Sequence, residues 1–477
     1  MKPSRVAILI GLLIALGLGA HSLAQAPAPQ PFAKSASALD IQALDKFIAT
    51  ELKSRELVGL SAALMIDGKI VLAKGYGQSV LGGAPATAET PFAIGSITKQ
   101  FTSACILKLA EADKLDVTDK VAKYYPGLTR AGDITLLDLM NHVSGYHDYY
   151  PLDFVDRPMM KAIDADELIR RFASRPLDFE PGSRYSYSNT GFVILGRIVE
   201  KVSGQPLGRF LEDQIFTPLG LKHTFYEPDA GQPGLAQGYT TFALTGPGKA
   251  VPEAKHWIAA AGAIYSTGSD LAAWDLALMT GKVLKPASYA LMTQTRLLTD
   301  GRISWYGCGL SLSVRNRRQV LSHGGAVSGF VASNTAVPGT RSAAVLLSNL
   351  DSGETNAIYN KLVEAILPVP PVSAPVIAGP PAVEAHKFML AAYQAGKVDR
   401  ALLGEEFSWF LTDAKLQTAS LKLKSYGEPT KADLESTNER GGMEVSIVRF
   451  TFANGVLRGA MYRTPDGKIQ QFFVSKI

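Results

Sequence analysis

The sequence predicts a mixed α/β (α+β) fold: an antiparallel sheet flanked by helices, a helical cluster beside it, and a small C-terminal α+β domain. Three observations predict it. Strand-like text stands at both ends of a long first segment, in Leu60–Gly75 and again in Tyr306–Val314, Phe330–Ala336 and Ala343–Leu347, so that one sheet is assembled from the two ends. Between them, from Ser96 to about Met279, helical stretches dominate. Six prolines from Pro368 to Pro381 then separate this segment from a tail with two hairpin signals.

Taken in order, Lys2 and Arg5 precede an apolar run from Val6 to Ala20 and small residues at Ser22, Ala24 and Ala26, the three-part pattern of a secretory signal. Cleavage is expected after Ala24, since cleavage after Ala26 would set Pro27 directly behind the scissile bond. An uncleaved anchor would need roughly 20 apolar residues, more than this run holds. A periplasmic or secreted protein is therefore expected, with residues 1–24 as the signal and no transmembrane segment beyond it. Residues 25–37, rich in Ala, Pro and Gln, read as a disordered leader.

The body, residues 38–367, opens with Leu39, Ile41, Leu44, Phe47, Ile48 and Leu52 at helical spacing, then a hairpin turning at Asp67-Gly68. Helices are expected at Thr190–Val202 and Asp270–Met279. Residues 368–384 read as a proline-rich linker. In the tail, residues 385–477, Ala385–Ala395 reads as a helix and Glu444–Phe473 as three strands joined at Asn454-Gly455 and Asp466-Gly467.

Composition excludes several function classes. The formal charge of +5 falls to +3 once Lys2 and Arg5 leave with the signal, too little to argue for nucleic acid. Two cysteines, Cys105 and Cys308, make no disulfide framework and no Cys-rich metal site; two separate buried thiols are expected. Seven scattered histidines with no His-Glu-x-x-His predict no metal and no cofactor. No serine carries the Gly-x-Ser-x-Gly setting of an α/β-hydrolase, and no fixed-period repeat occurs.

Three motifs carry chemistry. Ser96-Ile97-Thr98-Lys99 lies where strand-like Thr90–Gly95 gives way to an apolar helical run through Phe101, Ala104, Cys105, Leu107 and Leu109. Residues three apart share a helix face, so the Lys99 nitrogen can reach the Ser96 hydroxyl, and burial in the apolar run lowers its pKa toward that of a usable base. Ser96 is the only serine with lysine three residues later. Tyr185-Ser186-Tyr187-Ser188-Asn189 precedes a helical run, where Asn189 is also suited to cap the helix. His323-Gly324-Gly325-Ala326 follows a strand, and its glycines either let a substrate backbone approach closely or simply form a tight turn.

In order and separation these motifs resemble the serine β-lactamase and penicillin-binding protein superfamily, with its Ser-x-x-Lys, Ser/Tyr-x-Asn and Lys-Thr-Gly signatures. The chain is most similar to the Tyr-x-Asn branch of class C β-lactamases, D-alanyl-D-alanine carboxypeptidases, D-aminopeptidases and esterases. The resemblance spans about Leu39–Leu367 and includes Phe92–Lys99, Asn141–Gly145, Pro181-Gly182, Gly262–Leu271 and Tyr306–Gly309. It implies a β-lactamase/transpeptidase-like fold and a serine hydrolase in which Ser96 is acylated, Lys99 and Tyr187 handle its proton, and Asn189 binds a substrate amide. By the same resemblance His323, Gly325 and Ala326 border the substrate, with the amides of Ser96 and Ala326 as an oxyanion hole. His323 stands where the third signature usually has lysine, which argues against efficient antibiotic hydrolysis because histidine is largely neutral at pH 7. The resemblance leaves amide, ester and β-lactam substrates open, all small molecules or short peptides. A binding or sensor protein for cell-wall fragments is the alternative. The tail resembles nuclear-transport-factor-like domains only by analogy.

Overall fold

The computed structural model describes residues 39–477 except 151, 153, 230–231, 244 and 369–373. The expected signal segment 1–24 and leader 25–37 lie outside the described residues, as does the centre of the proline-rich stretch. The chain forms two compact units, one running to Ser313 and resuming at Gln319–Ile366, the other made of Val314–Arg318 and Leu367–Ile477.

In the first unit, helix α1 (Ile41–Ser54) leads into strands β1 (Gly59–Ile66) and β2 (Lys69–Gly77). Asp67 at φ 49° and Gly68 at φ 75° both take the left-handed conformation that a tight two-residue hairpin demands. After the helical region come α4 (Gly268–Met279, α2 and α3 being described with the site), β3 (Ser311–Arg315) and β4 (Arg318–Val327), of which Val314, Arg315 and Arg318 count with the second unit, then β5 (Phe330–Val337), β6 (Ser342–Ser348) and α5 (Asn356–Ile366). The six strands form one sheet in the order β2-β1-β6-β5-β4-β3, with β1 against β6 antiparallel from Leu60–Ser348 to Met65–Ala343. The two ends of the segment thus meet at the centre of the sheet. Strands β1 and β6 are apolar and buried on both faces: Ala63, Met65, Val345 and Leu347 face the main core, while α1 and α5 cover the opposite face.

The sheet is antiparallel and the helices flank it, as the sequence predicts. Three readings change. The strand expected at Tyr306–Val314 is formed only over Ser311–Arg315, because Tyr306–Gly309 turns inward with Gly309 at φ 72°. The Thr90–Gly95 strand shrinks to Phe92–Ala93, which joins Ile264–Ser266 and Phe225–Tyr226 in a small three-stranded sheet inside the helical region. Finally His323–Ala326 is not a tight turn but continues β4 to its end at Val327.

The second unit contains α6 (Ala382–Ala395), α7 (Glu405–Phe410) and α8 (Asp413–Leu423), then an antiparallel sheet β7 (Lys431–Arg440), β8 (Met443–Phe452), β9 (Gly455–Arg463) and β10 (Ile469–Lys476) in sequential order. Helix α6 begins at Ala382, inside the stretch expected to be linker. A fourth strand, β7, precedes the three expected, and the first hairpin turns at Ala453-Asn454, one residue early. Met389, Val448, Phe450, Met461 and Phe472 form its core. Among the described residues no helix is long and apolar enough to cross a membrane.

Candidate active site

Ser96 sits in a single 3₁₀ turn, Gly95–Ile97, that runs directly into helix α2 (Thr98–Glu111). Gly95 at φ 48° makes the turn, and there a side chain is excluded twice: by the backbone conformation, and because a Cβ would lie 2.8 Å from the Ala326 nitrogen. Helix α2 is buried almost all round, the mark of a central helix. It is anchored by Phe101 stacked on Trp274 at 4.0 Å. A chain of buried amides fixes its rotation: Trp274 Nε1 donates to Gln100 Oε1 (2.9 Å), Gln100 Nε2 to Asn334 Oδ1 (3.1 Å), and Asn334 Nδ2 to Asp275 Oδ1 (3.0 Å). Burial pushes the Asp275 carboxyl up to about 8, so it is protonated at neutral pH. Asn334 Oδ1 also accepts the His323 amide at 3.2 Å, which ties α2 to β4.

In the first turn of α2, three residues after Ser96, the Lys99 side chain is fully buried. Its nitrogen lies 3.0 Å from Ser96 Oγ, 2.8 Å from Asn189 Oδ1 and 2.7 Å from the Ala261 carbonyl. Burial lowers its pKa to about 7, against an opposing pull from the Asp148 carboxylate. Near neutrality the amine is therefore about half deprotonated. In the ammonium its three N–H groups serve Ser96 Oγ and the two carbonyl oxygens; in the neutral amine the carbonyl oxygens, which only accept, keep the two N–H bonds and the lone pair faces the Ser96 hydroxyl.

Asn189 is the first residue of helix α3 (Asn189–Ser203), and the N-cap position belongs to Ser188, whose side chain makes no capping bond. Asn189 therefore does not cap the helix; its side chain turns into the site. Its Nδ2 donates to Asp148 Oδ1 at 3.2 Å, which orients Oδ1 toward Lys99. The Tyr187 ring lies 4.8 Å from the Lys99 nitrogen. Its hydroxyl is buried without a full hydrogen bond, and burial raises its pKa despite the nearby Ser96 hydroxyl. In the free protein Tyr187 is thus a neutral phenol.

Strand β4 closes the other side. A Cβ on Gly325 would fall 1.9 Å from the Ile94 carbonyl oxygen and 3.2 Å from the Ser96 nitrogen, so glycine alone lets the strand lie against the nucleophile turn. That contact sets the Ala326 and Ser96 amides side by side. His323, buried in the same strand, donates from Nδ1 to the Gly324 carbonyl (2.5 Å), so its Nε2 accepts from the Tyr306 hydroxyl (2.7 Å). Burial, helped by Lys99, lowers its pKa to about 4 and keeps it neutral. Gly325→Ala is expected to force β4 away from the turn and to lower turnover about 100-fold, the loss typical of a 1 Å misplacement; steady-state kinetics with circular dichroism as the folding control tests this, and an active variant would show that the two backbones need not touch.

Ser96, Tyr187, Asn189, His323, Gly325 and Ala326 line one cavity of about 1100 Å³, with Lys99 buried behind Ser96. All seven residues singled out by the sequence are thus brought together. Sequence reasoning missed three others. Asp148 orients Asn189 and lies in a loop with no motif. His142, at φ 58°, accepts the Ser188 amide on Nδ1 at 3.1 Å and packs against the Tyr187 ring at 4.2 Å with the planes tilted by 35°, holding the Tyr-x-Asn segment from behind. Tyr306 donates its hydroxyl to His323 Nε2, the ring nitrogen that the Gly324 carbonyl leaves unprotonated. The segments Asn141–Gly145 and Tyr306–Gly309 stood out in the sequence without a role for these side chains. Cys105 and Cys308 are free, buried thiols. Among the described residues no group of three or more His, Cys, Asp or Glu is arranged to hold a metal.

A buried lysine against a serine at the start of a helix, facing an Asn and two strand glycines, can deprotonate the serine and hold an oxyanion. Comparison with known proteins bears on the same region: the profile of the beta-lactamase family matches residues 44–367. The chain belongs to the beta-lactamase family. This family member is 29% identical to a D-aminopeptidase of Brucella anthropi over 340 residues, 70% of the chain and 64% of the relative, so it spans just under two thirds of that protein. Among solved structures it is similar to a D-amino acid amidase from Ochrobactrum anthropi complexed with L-phenylalanine amide, with TM-score 0.57, 26% identity, and 68% and 97% of the two chains covered. A D-stereospecific amidohydrolase from Streptomyces sp. shares the fold, with TM-score 0.60, 23% identity, and 69% and 99% covered.

Proposed function

We propose that this protein is an exported serine hydrolase that cleaves amide bonds in small molecules or short peptides through an acyl-enzyme on Ser96. The observation that carries this reading is the Lys99 nitrogen, buried and 3.0 Å from Ser96 Oγ, with its other two partners being carbonyl oxygens. Neutral Lys99 takes the Ser96 proton as Oγ attacks the carbonyl carbon, and the Ser96 and Ala326 amides hold the resulting oxyanion. The Tyr187 phenol, beside both groups, passes its proton to the departing amine and recovers one from the Lys99 ammonium, leaving the acyl group on Ser96 and Lys99 neutral again. Water then attacks the acyl carbon, giving up its proton to Lys99, and Ser96 is regenerated. The relatives that act on D-amino acid amides favour amides over lactams, and a neutral His323 favours the same choice. The C-terminal unit is accessory to this chemistry.

The test is intact-mass spectrometry of the mature protein after incubation with a fluorescent penicillin, run beside assays with D- and L-aminoacyl 4-nitroanilides and a short-chain 4-nitrophenyl ester. Turnover of the anilide without a lasting adduct is the expected result. A stable adduct on Ser96 with no turnover of any substrate would instead support the sensor alternative.

A further inference from the structure

We infer that Asp275 is a positioning residue for this reaction, the terminal acceptor of the buried amide chain that holds α2, with Ser96 and Lys99, in register with His323 and Ala326 of β4. This rests on the reading of Ser96 as the nucleophile. The chain begins and ends on α4, at the neighbours Trp274 and Asp275, and passes through Gln100 of α2, next to Lys99, and Asn334 of β5, paired with His323 of β4. All four side chains are buried.

Its polarity is dictated from both sides. An indole N–H can only donate, so Gln100 must turn Oε1 to Trp274 and Nε2 to Asn334. Asn334 must then present Oδ1, and the His323 amide, 3.2 Å from the same oxygen, makes the same demand. The Asn334 Nδ2 is thereby aimed at Asp275 Oδ1, 3.0 Å away, the one acceptor it has in a buried site. Without that oxygen Asn334 would keep its orientation at the cost of an unpaired buried N–H, or flip and set its own N–H groups against those of Gln100 and His323. Either outcome loosens the tie between α2 and β4, and so the alignment of Ser96 with the Ala326 amide.

Asp275 does this as a neutral acid. Its Oδ2 is buried without a partner, and burial pushes the carboxyl up to about 8. The elements around it bring no counter-charge. Strands β1, β5 and β6 carry no titratable side chain, and on β2 Lys69 is exposed while Lys74 and Tyr76 bind Asp45. On α2, Cys105 is a neutral thiol, Lys108 and Glu111 bind Val283 and Lys285, and Lys99 binds Ser96, Asn189 and Ala261. The His323 ring of β4 is neutral, and Asp270 of α4 itself is held by the His223 amide and the Thr224 hydroxyl. Once ionised, the carboxylate has one N–H for two oxygens and must draw in another donor, and the donors at hand are those that hold α2 to β4.

The experiment compares wild type, Asp275→Asn and Asp275→Leu as mature proteins. It reads the rate of Ser96 labelling by a fluorophosphonate, kcat and KM for D-phenylalanine 4-nitroanilide, and hydrogen exchange of the β4 peptide over residues 322–327. At pH 7 the asparagine variant, which keeps the acceptor oxygen, should match the wild type. The leucine variant should lose kcat and labelling rate by roughly 10- to 100-fold, the range of a misplacement of up to 1 Å, with KM little changed and β4 exchange faster. Above pH 8 kcat should fall in the wild type and hold in Asp275→Asn, a difference that a merely structural aspartate does not produce. Wild-type rates and exchange in Asp275→Leu would overturn the proposal, as would an alkaline limb shared by wild type and Asp275→Asn. Should the leucine variant fail to fold, the asparagine comparison decides. Absence of Ser96 labelling in the wild type defeats the hydrolase reading alone, since β4 exchange still reports the tie; labelling and exchange blind to both substitutions defeat this inference alone.

Discussion

Ser96→Ala should retain the fold and lose turnover by a factor on the order of 10⁴ or more, as removal of a nucleophile does where the oxyanion donors remain. The serine is half-buried in a single turn, and the close approach to Gly325 and Ala326 of β4 is made by the backbone of that turn at Ile94 and Gly95, not by the serine hydroxyl. Deleting one oxygen therefore leaves the Gly95 turn, the Gly325 approach and the Ala326 amide in place. The variant should still bind substrate and should take up no mass from a reactive ester. Kinetics, intact mass and a thermal melt on the same preparation check the three parts. Near-normal turnover would remove Ser96 from the reaction and, with it, the role of Lys99.

How much of this was legible in the sequence depends on whether a side chain's role is local. Ser96 and Lys99 are one helical turn apart, so spacing alone places them together, and the apolar text around them predicts the burial that lowers the lysine's pKa. The sheet was legible for a similar reason: β1 and β6 are apolar along their whole length because both faces are covered. Asp148 was not legible, because it acts on Asn189 across 41 residues of chain and only the folded loop brings them together. Nor was the left-handed backbone of His142, a residue type that adopts it far less readily than glycine. Tyr306 read as part of a strand because its aromatic and apolar neighbours suit one, yet the turn at Gly309 sends its hydroxyl to His323 instead. Strand β7, Lys431–Arg440, is mostly polar and little buried, so its text shows no alternation of the kind that marks a half-buried strand. The small strands of the helical region are two or three residues long, and their pairing is set by the elements around them.

Lys99→Met should abolish turnover nearly as fully as the loss of Ser96, and its effect on stability should reveal why a lysine is buried there. In the folded protein the Lys99 pKa is about 7, against 10.5 in an unfolded chain. Between those values the unfolded chain holds more protons than the folded one, so this group makes stability rise with pH from about 7 toward 10. Below pH 7 its destabilising contribution is fully present, because folding must then desolvate an ammonium. Going from pH 7 to pH 9 relieves on the order of 2 kcal/mol in the wild type, a slope the methionine variant lacks. The variant gives up the hydrogen bonds to Asn189 and the Ala261 carbonyl, so its gain at pH 7 is smaller than the relief of desolvation alone. The decisive quantity is the change of that gain with pH: the stability difference between variant and wild type, from urea unfolding, should shrink as pH rises from 7 to 9. In the wild type, kcat/KM should fall below pH 7 as the amine takes up its proton, while His323, with a pKa of about 4, stays neutral through that range. A stability difference independent of pH, together with an acid limb far from 7, would mean that Lys99 is an ordinary ammonium and that the base lies elsewhere. A shared transition near 7 in both measurements would tie the instability of the buried amine to its use as the base that activates Ser96.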